Sequence, residues 1–197
     1  MQPGFFQATD MPDAEWWEAL WPDPAGLVRA VGIAEGMDVI DLCSGDGWFT
    51  LPMAELARHV TALDIDAHLL EQSRTRLAEH GVTNCDFAVG DAYDIAKLVP
   101  RKVDLVFLAN VFHGVPDQTK LSQAVRETLL PRGRFAIVNW HQRPREETTV
   151  LGQPRGPRTE LRMSPEQTVS AVTAAGLALD KIVDLPPYHY ATIFVRD

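Results

Sequence analysis

Five short apolar runs recur through the middle of the chain, separated by stretches of helical length. They are MDVIDL (37–42), HVTALD (59–64), CDFAVG (85–90), VDLVFLAN (103–110) and GRFAIVNW (133–140), with helix candidates at 47–57, 67–80, 92–98 and 117–130. Parallel strands need long, right-handed crossovers, so this rhythm predicts a parallel sheet covered by helices on both faces. VDLVFLA is apolar without alternation, as a central strand buried on both sides requires. The rhythm then changes. SPEQTVSAVTAAG (164–176) reads as a helix with Ser164 as N-cap, Pro165 in the first turn, Gln167 at the capping-box position and Gly176 as stop. After it, LALDKIVDL (177–185) and YHYATIFV (188–195) are separated only by Pro186 and Pro187, too short a link for a crossover, so they are expected to pair antiparallel.

Length and charge bound the function. The 197 residues suit one full-sized domain. A net charge of −9 gives no basic footprint for nucleic acid. No apolar run approaches the roughly 20 residues of a membrane span, and MQPGFFQATD lacks the features of a secretory leader, so a cytoplasmic location is expected. Cys43 and Cys85 stand in unrelated contexts and suggest neither a disulfide framework nor a metal site.

The first run ends VIDLCSGDG, directly before an expected helix. Ligands of open parallel sheets bind beyond the carboxyl ends of the strands. Gly45 and Gly47 allow positive φ and a close approach of backbone to ligand. A dinucleotide fingerprint needs Gly-x-Gly-x-x-Gly, but Thr50 stands at the third glycine position and the first is out of register, which disfavours a nicotinamide-dependent oxidoreductase. Asp41 and Asp46 would repel a pyrophosphate and suit an ammonium or sulfonium. Asp64 ends the second run, 17 residues after Gly47, where a carboxylate can accept from ribose hydroxyls. Asp91, after the third run, offers an acceptor for an amino group, with Ala92 as a backbone donor. Ribose, purine and cationic amino acid are the parts of S-adenosylmethionine. The competing reading of each aspartate is a cap on the helix that follows it.

In order and spacing, VIDLCSGDG, VTALDID, VGDAYDI, VDLVFLANVFHGV and LLPRGRFAIVNW resemble the class I S-adenosylmethionine-dependent methyltransferases, in their small-molecule branch, over about residues 37–195. The resemblance implies an α/β fold: a Rossmann-like, doubly wound, seven-stranded sheet, mostly parallel, with an antiparallel C-terminal hairpin. It implies S-adenosyl-L-methionine as cofactor, with Asp41, Cys43, Ser44, Gly45 and Gly47 forming the turn against its methionine part. Asp64 would take the ribose, Ile65 the adenine face, Asp91 and Ala92 the adenine edge, and Asn110 would lie below the methionine. Cys43 is a departure, standing where the pattern usually has its first glycine.

The implied reaction is in-line transfer of a methyl group to an O, N, C or S atom of a small-molecule acceptor. Nucleic-acid amino methyltransferases carry Asn/Asp-Pro-Pro-aromatic after the fourth strand; Asn-Val-Phe-His at 110–113 disfavours that substrate. His113 is the candidate proton acceptor, its alternative being a structural histidine. Residues 1–24 are expected to form an aromatic-rich cap, with Phe5, Phe6, Trp16, Trp17 and Trp21, on a single methyltransferase domain over 25–197. Trp17, Trp21, His141 and Tyr188 are the candidate acceptor contacts. His113, His141 and His189 lack metal-ligand spacing, so no metal is expected. The polar connection 142–163 reads as lacking regular structure, and its arginines, at 143, 145, 155, 158 and 162, suit an anionic acceptor. A different class of function also fits the same motifs: a regulatory protein that binds S-adenosylmethionine without catalysis.

Overall fold

The computed structural model describes Phe6 and residues 11–197. Phe5, one of the cap aromatics, lies outside the described residues. The five expected parallel strands are β1 (Asp38–Leu42), β2 (His59–Asp64), β3 (Cys85–Val89), β4 (Val103–Ala109) and β5 (Leu129–Trp140). A small separate hairpin, β6 (Thr149–Val150) and β7 (Gln153–Pro154), precedes the two last strands, β8 (Ala178–Leu185) and β9 (His189–Val195). The main sheet has seven strands in the order β3-β2-β1-β4-β5-β9-β8. Its pairings are parallel from β3 through β5, and β9 runs antiparallel to both β5 and β8. The doubly wound sheet and the C-terminal antiparallel pair are thus as expected from the sequence.

Helices cover both faces: α1 (Ala14–Leu20), α2 (Pro24–Ala30), α3 (Thr50–Leu56), α4 (Ala67–Glu79), α5 (Ile95–Leu98), α6 (Gln118–Thr128) and α7 (Pro165–Thr173). Along the strands, alternate residues feed two cores, as the two-residue period of a pleated strand dictates. Val39, Leu105, Phe107 and Val138 pack with Trp17, Leu20, Val28 and Met53 of the first three helices. Ile40, Leu42, Val106 and Ile137 pack with Ile95, Leu121, Val125 and Val172 of the last three. The tryptophans at 16, 17 and 21 belong to the first core and are almost completely buried.

Several boundaries shift for local reasons. α3 begins at Thr50 rather than 47, because Gly45 (φ 57°) and Gly47 (φ 86°) hold the preceding turn in a left-handed conformation. α2 was not anticipated; Asp23 caps it, accepting from Gly26 N at 2.8 Å, and proline stands in its first turn. The expected capping box of α7 forms, with Ser164 N donating to Gln167 Oε1 at 2.8 Å and Gln167 N to Ser164 Oγ at 3.3 Å.

The largest departure is the 142–163 connection, which is ordered rather than structureless. Its centre is Arg162, only 3% exposed. Arg162 Nε donates to Pro157 O at 3.1 Å, and its Nη2 to Thr148 Oγ1 at 2.8 Å and Arg155 O at 2.9 Å. Its guanidinium also lies over the Trp140 ring, 5.1 Å from the centroid. A charged side chain inside the loop takes the place of an apolar core. We therefore expect Arg162→Met, which keeps the length but removes the donors, to expose the connection to limited tryptic cleavage after Arg155 or Arg158. With about 1.5–3 kcal/mol attached to a charge-assisted hydrogen bond, local opening should rise roughly ten-fold or more. Unchanged cleavage kinetics would show that Arg162 does not hold the loop.

Candidate functional site

From β1 the chain winds outward to β2 and β3, and then returns to add β4 and β5 on the other side of β1. The switch in direction falls between β1 and β4, where the crossovers part and leave a crevice at the carboxyl ends. Two non-glycine residues with left-handed backbone stand there, Cys43 (φ 59°) after β1 and Asn110 (φ 61°) after β4. Such conformations are uncommon outside glycine and concentrate at functional sites. They turn the chain sharply and open a cavity of about 550 Å³, within the range of ligand pockets.

One end of the cavity is lined by Asp41, Cys43, Ser44, Gly45, Asp64, Ile65, Asp91, Ala92 and Asn110, nine of the ten residues that the sequence put forward for the cofactor. The tenth, Gly47, is corrected. A Cβ at Gly47 would lie 2.3 Å from Ser73 Oγ and 2.9 Å from Ser73 Cβ, so this glycine serves the close approach of α4. Asp46 also faces α4 rather than the cavity, where its carboxylate pairs with Arg76 at 2.7 Å. The repulsion of a pyrophosphate therefore rests on Asp41 alone of that pair.

Asp64 does not cap α4; that role belongs to Asp66, which accepts from His68 N at 2.8 Å. Asp64 instead accepts from Gly45 N and from Asp66 N, each at 2.9 Å, so both oxygens are held in place. Asp91 does cap, accepting from Tyr93 N at 2.9 Å through one oxygen. Asp41, 3% exposed, accepts from Thr50 Oγ1 at 2.6 Å, and burial pushes its carboxyl up to about 7. Burial and the neighbouring Asp64, Asp41 and Asp91 carboxylates push the Cys43 thiol well up, which leaves it unreactive. Ser44 Oγ and both amide atoms of Asn110 are buried without a hydrogen-bond partner among the described residues. Buried polar groups left in this state are costly, and a polar ligand in the cavity would satisfy them.

The other side of the cavity was read only in part from the sequence, which put forward Arg145 and Arg155 for an anionic acceptor and Trp17 as an acceptor contact but not Trp48, Trp140, Gly156 or Pro157. Trp16, Trp48 and Trp140 join Trp17 as aromatic walls, and Arg145, Arg155, Gly156 and Pro157 come from the 142–163 connection, while Leu69 of α4, also not put forward, adds an apolar patch beside Ile65. Gly156 (φ 82°) is required there, since a Cβ would lie 2.7 Å from the Trp140 ring. Of the expected acceptor contacts only Trp17 lines the cavity. Trp21 instead packs on Phe49 and His189, His141 Nε2 meets Asp184 at 2.8 Å, and Tyr188 stacks on Trp140. His113 is corrected as well. The left-handed turn at Asn110 directs the chain into a short 3-10 turn (Phe112–Gly114) buried in the second core, and His113 stays outside the lining. His189 is fully buried between Trp21 and Trp140, and burial holds its pKa well below the usual histidine value. Among the described residues no group of three or more His, Cys, Asp or Glu side chains could hold a metal ion, and no helix is long and apolar enough to cross a membrane.

A switch-point crevice lined by strand-end carboxylates is the mark of a nucleoside-binding α/β protein, and sequence comparison makes the class specific. The "Methyltransferase domain" family profile matches residues 33–166, and the chain belongs to that family. Among curated relatives, a ubiquinone biosynthesis O-methyltransferase of Xanthomonas euvesicatoria pv. vesicatoria is 28% identical over 138 residues, covering 66% of this chain and 57% of the relative. The methyltransferase gedG of Aspergillus terreus is 31% identical over 102 residues, covering 52% of this chain and 31% of the relative. The matched region thus spans little more than half of the former and less than a third of the latter. Among solved structures, the complex of DhpI with S-adenosylhomocysteine superposes with a TM-score of 0.67 at 27% identity, covering 93% of this chain and 91% of that one. A SAM dependent methyltransferase from Aquifex aeolicus superposes with a TM-score of 0.78 at 19% identity, covering 94% of each chain, and shows the same fold.

Asp41 gives the site a measurable signature. Its folded pKa of about 7 lies above the ordinary 3.8, so its contribution to stability is complete below pH 3.8 and is lost as pH rises through 7. Asp41→Asn lacks this loss. Relative to the wild type it should gain stability between pH 4 and 8, by up to ~4 kcal/mol on the scale of 1.36 kcal/mol per pKa unit. Urea denaturation across that range measures the difference; one that does not vary with pH would show that Asp41 does not titrate as a buried acid.

Proposed function

We propose that this protein transfers a methyl group from S-adenosylmethionine to a small-molecule acceptor bound in the same cavity. The observation that carries the reading is the set of carboxylates at three successive strand ends, Asp41, Asp64 and Asp91, facing one cavity together with the unsatisfied polar atoms of Ser44 and Asn110. Membership of the methyltransferase-domain family and the likeness to the DhpI complex support it.

The residues suit the cofactor part by part. Asp41 would hold the ammonium of the methionine portion, and the left-handed Cys43-Ser44-Gly45 turn brings backbone close enough to pack against that portion. Asp64, fixed by two backbone N–H groups, would accept from the ribose hydroxyls. Ile65 and Leu69 provide apolar contact for the adenine, and Asp91 with Ala92 a polar edge. When bound, S-adenosylmethionine supplies a methyl group activated by a positively charged sulfur.

The chain's own contribution is orientation and exclusion of water. Trp16, Trp17, Trp48 and Trp140 line the cavity and would help exclude water from bound ligands. No histidine lines the cavity among the described residues, so transfer rests on alignment, which can supply ~7–11 kcal/mol when reacting groups are well placed. An acceptor atom that carries a lone pair and needs no strong base fits this lining best.

Calorimetric titration with S-adenosylhomocysteine tests the reading. An ammonium placed beside Asp41 lowers that residue's pKa from about 7, so binding at pH 6 should release protons. The measured enthalpy should then vary with buffer ionisation enthalpy at pH 6, much less at pH 8.5, and not at all in Asp41→Asn. Asp64→Asn should weaken binding by roughly ten- to a hundred-fold, as expected for hydrogen bonds to a charged group. Absence of saturable binding, or binding without proton release at pH 6, would refute the assignment. Turnover with a panel of metabolites separates an enzyme from a binding protein that only senses the cofactor.

A further inference from the structure

The far side of the cavity carries positive charge that the protein itself leaves uncompensated. Arg145 and Arg155 both line it, and neither forms an ion pair among the described residues. In a chain with 27 acidic and 18 basic residues, this arrangement runs against the overall balance. Arg155 is fixed through its main chain: its N–H donates to Thr148 O at 2.8 Å, and its carbonyl accepts from Thr148 Oγ1 and Arg162 Nη2, each at 2.9 Å. Its side-chain Nε is buried with no hydrogen-bond partner among the described residues. Arg145 Nε donates to Gly156 O at 3.0 Å, next to Arg155. Behind both lies the buried Arg162, whose Nη1 also has no partner among the described residues. Burial, then the charge of Arg145, lowers the Arg162 pKa, with exposed Glu146 acting in the opposite direction.

The other two arginines of the connection do not share this environment. Arg143 is exposed, and exposed Arg158 meets Glu160 at 3.4 Å. Asp13 also lines the cavity and forms no ion pair with either arginine among the described residues. Arg145 and Arg155 share this wall with the charge of Arg162 behind them, like charges that repel, and the buried, unsatisfied Nε of Arg155 adds to the cost. An anion relieves both penalties, and the planar fork of arginine matches the geometry of carboxylate or phosphoryl oxygens.

We propose that the methyl acceptor carries an anionic group, a carboxylate or a phosphoryl group, bound by Arg155 with Arg145 beside it, and that its body lies against Trp16, Trp17 and Trp140. This specifies the substrate class of the methyltransferase reading above and rests on that reading for the word acceptor. The arginine site itself is a property of the cavity and can be tested separately.

The experiment follows quenching of tryptophan fluorescence, since Trp16, Trp17, Trp48 and Trp140 line the cavity, during titration with benzoate, phenyl phosphate and the neutral benzamide. It is run with and without saturating S-adenosylhomocysteine, on the wild type, Arg155→Gln and Arg155→Lys. An anionic probe should bind about ten-fold or more tightly than benzamide, as expected for a charge-assisted pair. Arg155→Gln should abolish that preference and Arg155→Lys keep part of it, while affinity for S-adenosylhomocysteine and the melting temperature stay at wild-type values in both. The stronger of the two anions identifies which oxyacid the site prefers. Equal binding of benzamide, no saturable binding of any probe, or a preference that survives Arg155→Gln would each overturn the proposal. Failure of S-adenosylhomocysteine to bind while the anion preference persists would instead overturn the cofactor assignment and leave the anion site standing.

Discussion

The hydrogen bond from Gly45 N to Asp64 Oδ2 at 2.9 Å, beside that from Ser44 N to Leu63 O at 3.1 Å, joins the turn after β1 to the end of β2 at the crevice. Gly45 can present its N–H in that direction because its φ is +57°, and a Cβ there would lie 2.9 Å from Met11 Sδ. Asp64 is nearly buried, and burial raises its pKa, while the N–H groups of Asp66 and Gly45 act against that rise. The bond therefore does two things at once. It compensates a carboxylate that burial would otherwise neutralise, and it holds the turn in the form that opens the cavity.

How far the sequence reaches depends on the range of the forces involved. Strand positions at β1 to β5 followed from local apolar runs, and the carboxylates at their ends followed from strand position alone. Asp41, Asp64 and Asp91 were legible because each belongs to its own strand-turn-helix unit. The opposite wall was not legible in this way. Trp16, Trp140 and Arg155 come from α1, the end of β5 and the loop after β7, and only the packed fold brings them to one cavity. His113 and Gly47 illustrate a subtler limit. Both lie within two residues of lining residues in the chain, but side-chain direction depends on backbone angles and on packing elsewhere, the left-handed turn at Asn110 upstream of one and Ser73 against the other.

Trp140 ties the acceptor side to the core. One ring lines the cavity, accepts the backbone of Gly156 against it, lies under Arg162 at 5.1 Å, stacks with Tyr188 at 6.1 Å and contacts His189 at 4.1 Å. The 142–163 connection thus takes its position from the last residue of β5. A connection of polar and glycine residues can hold a defined wall when a buried guanidinium satisfies its carbonyls from within.

The polarity of the cavity follows from this construction. Acidic groups come from the ends of β1, β2 and β3 on one side of the switch point, and arginines from the loop beyond β5 on the other. Charges of opposite sign within one partly buried cavity interact more strongly than they would in bulk solvent. A cationic ligand on the acidic side and an anionic one on the basic side would also attract each other. By linkage, each must then raise the affinity of the other by the same factor. The cavity is thereby suited to hold its two ligands together, and removal of the positive charge from one of them would weaken its hold on both.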